Sequence, residues 1–258
     1  MCGKYFFIAL ALCINSLFIS CSDNQPSEND NKPKDSTFTY TDRLADPDFE
    51  YWKEFYGTKG EFLYEDPIGN WWTTLNKLKL ITGPVTATKT ADAHSGNYAL
   101  RLETMSYGSF IITGLLMTGV FDPNMPGYVI QGKPFTVKPT KFTGYFKYYP
   151  VNHDTCSIYI GIYRFNQTLM RRDTIADAYL TVSDTVSQYK LFELEPNYKL
   201  ENIEPDTLKI AIVSSAGGED YSGHGSPQIG SALLIDDLSL EIPTGIIYLM
   251  DEKTRSIK

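Results

Sequence analysis

Two pairs of adjacent aromatic residues carry side chains of the kind that bind sugars: Trp71-Trp72 and Tyr148-Tyr149. A sugar is bound when an apolar face of its ring lies on an aromatic side chain while amides, carboxylates and arginines bond its hydroxyl groups. Because adjacent residues of an extended chain point to opposite faces, only one member of each pair can be exposed. Alternation with earlier phenylalanines predicts that Tyr148 is buried and Tyr149 exposed. Trp71 and Trp72 are not distinguished, and for every aromatic the alternative is packing in the core or on a sheet face.

Polar residues in turns could supply the hydrogen bonds that a sugar requires. His153 lies beside turn residues, and Arg171 opens an Arg-Arg-Asp run that could bond hydroxyl groups or uronates. Residues 214–231 form a long glycine-rich loop, a type of segment that often carries function on a rigid framework. Four ligand-binding candidates lie in this loop: Glu219, Asp220, Tyr221 and His224. The alternatives are a solvated strand end for Arg171, surface or capping roles for the histidines, and a plain surface connection for the loop.

Two adjacent carboxylates, Asp236 and Asp237, lie in the last apolar segment of the chain. The leucines and the isoleucine around them alternate in such a way that at least one carboxylate points toward an apolar interior. A buried carboxylate is costly unless it finds hydrogen-bond donors or a cation. We therefore expect one of the two to accept backbone N–H and tyrosine hydroxyl bonds, or to bind a metal ion.

Enzyme chemistry has little support in the sequence. A glycosidase requires two carboxylates at a set separation, and 31 acidic residues allow many pairs without singling one out. Neither a Gly-x-Ser-x-Gly nor a His-Glu-x-x-His pattern is found. Cys156 alternates with Ile158 and Ile160, which predicts a buried apolar residue rather than a nucleophile. No catalytic residue is predicted, and a glycoside hydrolase remains the enzyme alternative.

Short β-strands, in which apolar and polar residues alternate, must position these residues. Tyrosine (18) and phenylalanine (14) are abundant, and 19 glycines with 14 prolines supply many turns. Period-two alternation recurs at residues 142–149 and 208–213, and the segments between turns lack a helical period. The pattern predicts an all-β protein, a two-sheet antiparallel β-sandwich that forms one domain over residues 38–245. Residues 246–258 are a C-terminal tail, whose apolar start could offer a strand to a protein partner.

The amino-terminal segment predicts export and anchoring. Residues 1–20 have the apolar run of a signal peptide, and they end just before Cys21 in a pattern that resembles a bacterial lipobox. Cys21 is therefore the predicted lipidation site, with a plain cleaved signal or a retained anchor as alternatives. Residues 21–37 form the lipidated end and a disordered tether, because this polar stretch cannot bury a core. A formal net charge of −8 disfavours nucleic acid as a partner.

Three segments together resemble a known family. They are the turn and strand at residues 90–104, the Gly-Lys-Pro-Phe to Tyr-Tyr-Pro stretch at residues 132–150, and the final Leu-Ile-Asp-Asp-Leu strand at residues 232–241. This series resembles the putative carbohydrate metabolism domain, a β-jelly-roll family of surface lipoproteins from anaerobic gut bacteria. The resemblance implies a jelly roll of galactose-binding-like topology.

The resemblance also implies a function and a metal. It points to a lipoprotein on the outer membrane of a Gram-negative bacterium, facing the exterior, which binds polysaccharide or host glycan without catalysis and touches the membrane through its lipid anchor only. A protein-binding adhesin or assembly component of the cell surface is a further alternative. Related jelly rolls hold a structural calcium near the final strand, and calcium requires oxygen ligands. The matching residues here are Asp48, Glu50, Asp92 and Asp236.

Overall fold

The computed structural model describes residue 44 and residues 46–69, 71–124, 129–216 and 227–242. The predicted signal peptide, Cys21, the tether and the C-terminal tail lie outside these ranges, as do Glu219, Asp220, Tyr221 and His224. Within these ranges, no helix is long and apolar enough to cross a membrane.

The described residues form seventeen strands and one short 3-10 helix, Asn76–Ile81. In chain order the strands are β1 (Trp52–Tyr56), β2 (Phe62–Pro67), β3 (Trp72–Thr74), β4 (Ala87–Thr90), β5 (Ala99–Glu103), β6 (Met105–Tyr107), β7 (Phe110–Ile112), β8 (Leu115–Phe121), β9 (Val129–Gln131), β10 (Lys133–Pro134), β11 (Lys141–Tyr149), β12 (Cys156–Asn166), β13 (Arg171–Val182), β14 (Val186–Leu194), β15 (Asn197–Tyr198), β16 (Thr207–Val213) and β17 (Ala232–Glu241).

Two antiparallel sheets pack face to face. The five-stranded sheet has the order β14-β11-β17-β5-β4. The eight-stranded sheet follows the path β15-β13-β12-β16-β8-β3, with β10 paired to β16 and β9 paired to β8. Two hairpins, β1-β2 and β6-β7, flank the sandwich. The predicted all-β, two-sheet antiparallel sandwich of jelly-roll type is confirmed.

The main core lies between the two sheets and follows the predicted alternation. Tyr148 is fully buried and its hydroxyl donates to the carbonyl oxygen of Ser214 at 3.1 Å. On the facing sheet, Ile158 and Ile160 point inward beside Cys156, which is 1% exposed. Burial raises the pKa of the Cys156 thiol far above its usual range. A buried thiol of this kind is unreactive, so the prediction that Cys156 is an apolar core residue is confirmed.

A second apolar cluster covers part of the outer face of the eight-stranded sheet. It joins Leu78 of the 3-10 helix and Ile112 of β7 to Met117, Tyr159 and Ala211 on strands β8, β12 and β16. Strand β13 lies on the other side of β12 in this sheet, away from the cluster. The cluster therefore covers the outer face of the eight-stranded sheet as far as Tyr159 of β12, while β13 beyond it bears the exposed side chains described below.

A buried asparagine ties the 3-10 helix to strands β2 and β4. Asn76 has no exposed surface, and its Nδ2 donates to the carbonyl oxygens of Glu65 (3.0 Å) and Ala87 (2.7 Å). Its Oδ1 accepts the backbone N–H groups of Thr86 and Ala87, both at 3.0 Å. One amide thus satisfies main-chain groups of two separate segments.

The carboxyl group of Asp66 lies beside this asparagine and makes stability depend on pH. Burial raises the pKa of Asp66 to about 6, although hydrogen bonds from Thr74 and Asn76 act in the opposite direction. Because the folded pKa lies above the unfolded value, the folded state binds the proton more tightly. This contribution is therefore fully present below about pH 4 and is lost as the pH rises through 6.

We expect the unfolding free energy to fall between pH 4 and pH 7 by up to about 3 kcal/mol on account of Asp66 alone. Asp66→Asn imitates the protonated form and should flatten the profile by that amount. Urea unfolding of both proteins at several pH values measures the difference, with Asp184→Asn in the exposed β13–β14 turn as the control. Parallel profiles for the wild type and Asp66→Asn would contradict the expectation.

Candidate functional site

The structure distinguishes the two adjacent tryptophans. Trp72 begins β3 with 6% of its surface exposed, and its ring packs against Phe49 with the centroids 6.3 Å apart. A ring in the core cannot lie under a sugar, so the place of Trp72 among the predicted ligand-binding residues is corrected. Trp71 is half-buried, with its ring at 6.3 Å from that of Phe135 in an edge-on arrangement. Strand alternation predicts that one of the two tryptophans is buried, and the structure shows that it is Trp72.

The other predicted ligand-binding residues that the structure describes do not meet in one place. Tyr149 is half-buried at the end of β11, and His153 is exposed in the following turn, where its φ is 60°. Arg171 lies at the opposite end of β12 from His153, and its Nε donates to Asp173 Oδ1 at 3.1 Å. Trp71 precedes β3, which is the far edge strand of the same sheet. These residues therefore do not form a single binding surface.

The predicted calcium ligands lie around the turn at residues 91–98, where other groups already bind them. Glu50 accepts the backbone N–H groups of Asn97 (2.7 Å) and Tyr98 (2.9 Å). The bond from Tyr98, followed by that from Asn97, lowers the pKa of Glu50. Asp92 Oδ1 lies 2.6 Å from Lys147 Nζ, and its side chain is 48% exposed. Glu50 therefore holds the backbone of this turn, and Asp92 ties the turn to Lys147 of β11.

Asp236 is the buried carboxylate that the alternation predicted. Its Oδ2 accepts the N–H groups of His94 (2.8 Å) and Ser95 (3.2 Å), and its Oδ1 accepts the N–H of Asp237 (2.9 Å). Burial raises the pKa of Asp236 to about 6, against the effect of these bonds. The alternative in which backbone N–H groups satisfy Asp236 thus describes the contacts that the structure shows.

The remaining calcium candidate lies in a pair of carboxyl groups. Burial, with a further contribution from neighbouring Asp48, raises the pKa of Asp46 to about 6. Asp46 Oδ1 accepts the N–H group of Tyr51 at 3.1 Å, while its buried Oδ2 has no hydrogen-bond partner in the described part of the chain. Among the described residues, no group of three or more histidine, cysteine, aspartate or glutamate side chains could hold a metal ion. Calcium at Asp48, Glu50, Asp92 and Asp236 stays a prediction.

The turn at residues 91–98 also carries an ordered histidine. The ring of His94 stacks on Tyr145 with 3.5 Å between centroids and 12° between planes. Its Nδ1 lies 2.6 Å from Oδ2 of Asp237, and Ser95 Oγ donates to the other oxygen at 2.8 Å. Asp236 thus binds the backbone of the turn, and Asp237 binds its side chains.

A surface that the sequence reading missed lies on the β12–β13 half of the eight-stranded sheet. We call it the tyrosine surface, and it consists of Tyr159, Gly161, Tyr163, Asp177, Tyr179 and Lys209. The register places Gly161 opposite Asp177 on one side and Lys209 on the other, so all three share one face. Tyr179 pairs with Tyr159, and it is 53% exposed.

The glycine allows two tyrosines to lean over the sheet. The hydroxyl groups of Tyr159 and Tyr163 lie 2.5 Å apart. A Cβ atom on Gly161 would lie 2.4 Å from the hydroxyl oxygen of Tyr159, so any larger residue would displace these rings. The same alternation that sends Ile158, Ile160 and Ile162 into the core puts Tyr159, Gly161 and Tyr163 on the other face. The Tyr-x-Gly-x-Tyr spacing was thus the signal in the sequence.

Charged groups flank this aromatic surface. Lys209 is 7% exposed, and its Nζ lies 5.5 Å from the centroid of the Tyr159 ring. Asp177 Oδ1 lies 2.7 Å from Lys199 Nζ. Lys209 is thus buried, whereas the exposed ring of Tyr179 lies beside Asp177 and Lys199. An aromatic ring beside a carboxylate and an ammonium group can contact both the apolar face and the hydroxyl groups of a sugar.

The model of one protein family, described as "Putative carbohydrate metabolism domain", matches residues 48–241. The chain belongs to this family.

Solved structures agree with the fold. A "putative glycoside hydrolase" from Bacteroides thetaiotaomicron VPI-5482 is 20% identical with a TM-score of 0.60, and the match covers 76% of this chain and 70% of that one. A "putative glycoside hydrolase" from Bacteroides vulgatus ATCC 8482 is 22% identical with a TM-score of 0.58, covering 76% of this chain and 97% of that one. No curated protein matches the chain.

Proposed function

We propose that this protein is a surface-anchored lipoprotein that binds carbohydrate without catalysis, through the tyrosine surface. The single observation that carries the proposal is the ring of Tyr179, which is 53% exposed on the sheet face that it shares with the half-buried Tyr163. Tyr159 is buried and positions Tyr163 through the contact between their hydroxyl groups. An exposed tyrosine ring can pack against the apolar side of a pyranose. Membership of a carbohydrate-related family is consistent with this ligand class.

The distribution of carboxyl groups favours binding over hydrolysis. A glycosidase requires a general acid of raised pKa that faces a second carboxylate across the substrate. Three described carboxyl groups have a pKa raised to about 6: Asp46, Asp66 and Asp236. Asp66 bonds to Asn76 beside the 3-10 helix, Asp236 bonds to the turn at residues 91–98, and Asp46 accepts the N–H group of Tyr51, so none of the three bonds to the tyrosine surface. Residues 1–37 support a further part of the proposal: Cys21 carries a lipid, and the protein lies on the outer membrane and faces outward.

A binding screen tests the proposal directly. The chain from residue 38 onward is incubated with a glycan array and with insoluble polysaccharides, and each incubation is assayed for released reducing sugar. Retention without release supports non-catalytic binding and names the glycan class. Release of sugar would identify a hydrolase instead, and silence on every glycan would leave a protein-binding adhesin as the better explanation.

Tyr179→Ala is expected to weaken binding of the retained glycan about tenfold or more, because one exposed ring contributes on the order of 1–2 kcal/mol to such contacts. Isothermal titration calorimetry measures the change. Tyr51→Ala is the matched control, since Tyr51 is 66% exposed beside β1 and lies outside the tyrosine surface. Equal affinities of Tyr179→Ala and wild type would move the binding site elsewhere.

A further inference from the structure

The hairpin that joins β12 to β13 projects beyond the rest of its sheet. Strand β12 pairs with β16 only as far as Tyr163, yet it continues to Asn166 in register with the first residues of β13. Three residues of each strand therefore pair with each other alone, which extends the hairpin by about 10 Å. We call residues 164–172 the hairpin tip.

Apolar side chains are exposed at the end of this tip. Leu169 is 55% exposed, Met170 is 48% exposed and Phe165 is 37% exposed. The turn is ordered, because Asn166 Oδ1 accepts the N–H groups of Thr168 (3.1 Å) and Leu169 (3.0 Å). The hairpin tip thus presents two adjacent apolar side chains to water on an ordered turn.

The backbone conformation at Met170 is a further feature of the hairpin tip. Its φ is 51°, in the left-handed region that glycine or asparagine occupies without strain. A methionine at this position costs conformational energy. The side chain of Met170 is thus held outward beside Leu169 at a backbone cost.

Arginines surround the apolar end. Arg164, Arg171 and Arg172 all lie in the hairpin tip. Arg171 contacts Asp173 at 3.1 Å, Arg164 lies 3.9 Å from Asp206, and Arg172 Nη1 donates to the carbonyl oxygen of Gln131 at 3.2 Å. Three cations face two carboxylates, so the tip is locally positive on a chain whose formal net charge is −8.

We propose that the hairpin tip docks on an anionic lipid surface, with Leu169 and Met170 inserted among the acyl chains and the arginines at the headgroups. Flexible aliphatic chains gain little from sugar hydroxyl groups but gain from transfer into hydrocarbon. The local positive charge is complementary to an anionic membrane, whereas the acidic remainder of the chain is repelled by it. Docking in this way would hold β12, and with it the tyrosine surface, close to the membrane.

Vesicle co-sedimentation tests this proposal independently of any lipid on Cys21. The chain from Ser22 onward, which keeps every described residue, is mixed with vesicles of phosphatidylcholine and with vesicles of equal parts phosphatidylcholine and phosphatidylglycerol. We expect binding to the anionic vesicles that weakens as salt is added. Leu169→Ser with Met170→Ser should reduce it about tenfold or more.

Leu80→Ser with Ile81→Ser is the matched control, because this adjacent pair is also exposed, at 51% and 42%, but lies in the 3-10 helix. Glycan binding by the hairpin-tip variant should equal that of the wild type, so failure here is distinguishable from failure of the proposed function. Four results would overturn the proposal: no binding to anionic vesicles, equal binding to neutral ones, equal loss in the control, or retention by an acidic polysaccharide in place of vesicles.

Discussion

Asn76→Ala is expected to lower the free energy of unfolding by about 3–5 kcal/mol. The substitution removes the acceptor of the N–H groups of Thr86 and Ala87 and the donor to the carbonyl oxygens of Glu65 and Ala87. Asn76 has no exposed surface, so water cannot replace these bonds without opening the structure. Each buried group left without a partner costs about 1–3 kcal/mol.

Urea unfolding followed by tryptophan fluorescence measures this loss. Asn197→Ala in the exposed edge strand β15 is the matched control and should change stability by less than about 0.5 kcal/mol. If the cost of Asn76→Ala were below about 1 kcal/mol, the carbonyl and N–H groups must be reached by water, and the described network would not be the anchor of the 3-10 helix.

Strand alternation predicted the core but not what covers its outer faces. It correctly assigned Tyr148 and Cys156 to the interior, because burial between two sheets imposes a period of two. The same period cannot tell which outer face is capped by a second cluster and which stays open. Tyr179 illustrates this limit, since only the pairing register shows that it lies beside Tyr159 on the open half.

The hydrogen-bond partners of the polar residues were harder to predict from the sequence than the strands. The sequence singled out Glu50, Asp92 and Asp236, and the structure does place all three around the turn at residues 91–98. What binds them is mostly backbone N–H, a group that every residue carries and that no residue type reveals. Asn76 went unnoticed for the same reason, because its partners are carbonyl and N–H groups of distant segments.

Asp236→Ala is the second substitution for which we expect a large effect, a loss of about 3 kcal/mol in unfolding free energy. It leaves the N–H groups of His94, Ser95 and Asp237 without their acceptor, and Asp236 itself is fully buried. Asp236→Asn should cost about half as much, because its one oxygen can still accept two of these bonds while its amide nitrogen opposes the third.

Asp237→Asn shows how much of the stability lost at this turn depends on the burial of the substituted carboxylate and how much on its charge. Asp237 bonds the side chains of His94 and Ser95 with 25% of its own side chain exposed, so water can replace what is lost. Asparagine also tolerates the φ of 48° at this position. We therefore expect Asp237→Asn to cost less than about 1 kcal/mol and less than Asp236→Asn.

Thermal unfolding of the same variants in calcium and in EDTA decides what Asp236 holds. If the turn's N–H groups occupy its oxygens, as the distances indicate, the melting temperature of the wild type should be the same in both solutions, and Asp236→Ala should be lower by the same amount in each. A ligand that binds only the folded state raises the melting temperature. A wild-type melting temperature that falls in EDTA, with no such fall for Asp236→Ala, would mean that calcium displaces the N–H groups of His94 and Ser95 from this carboxylate.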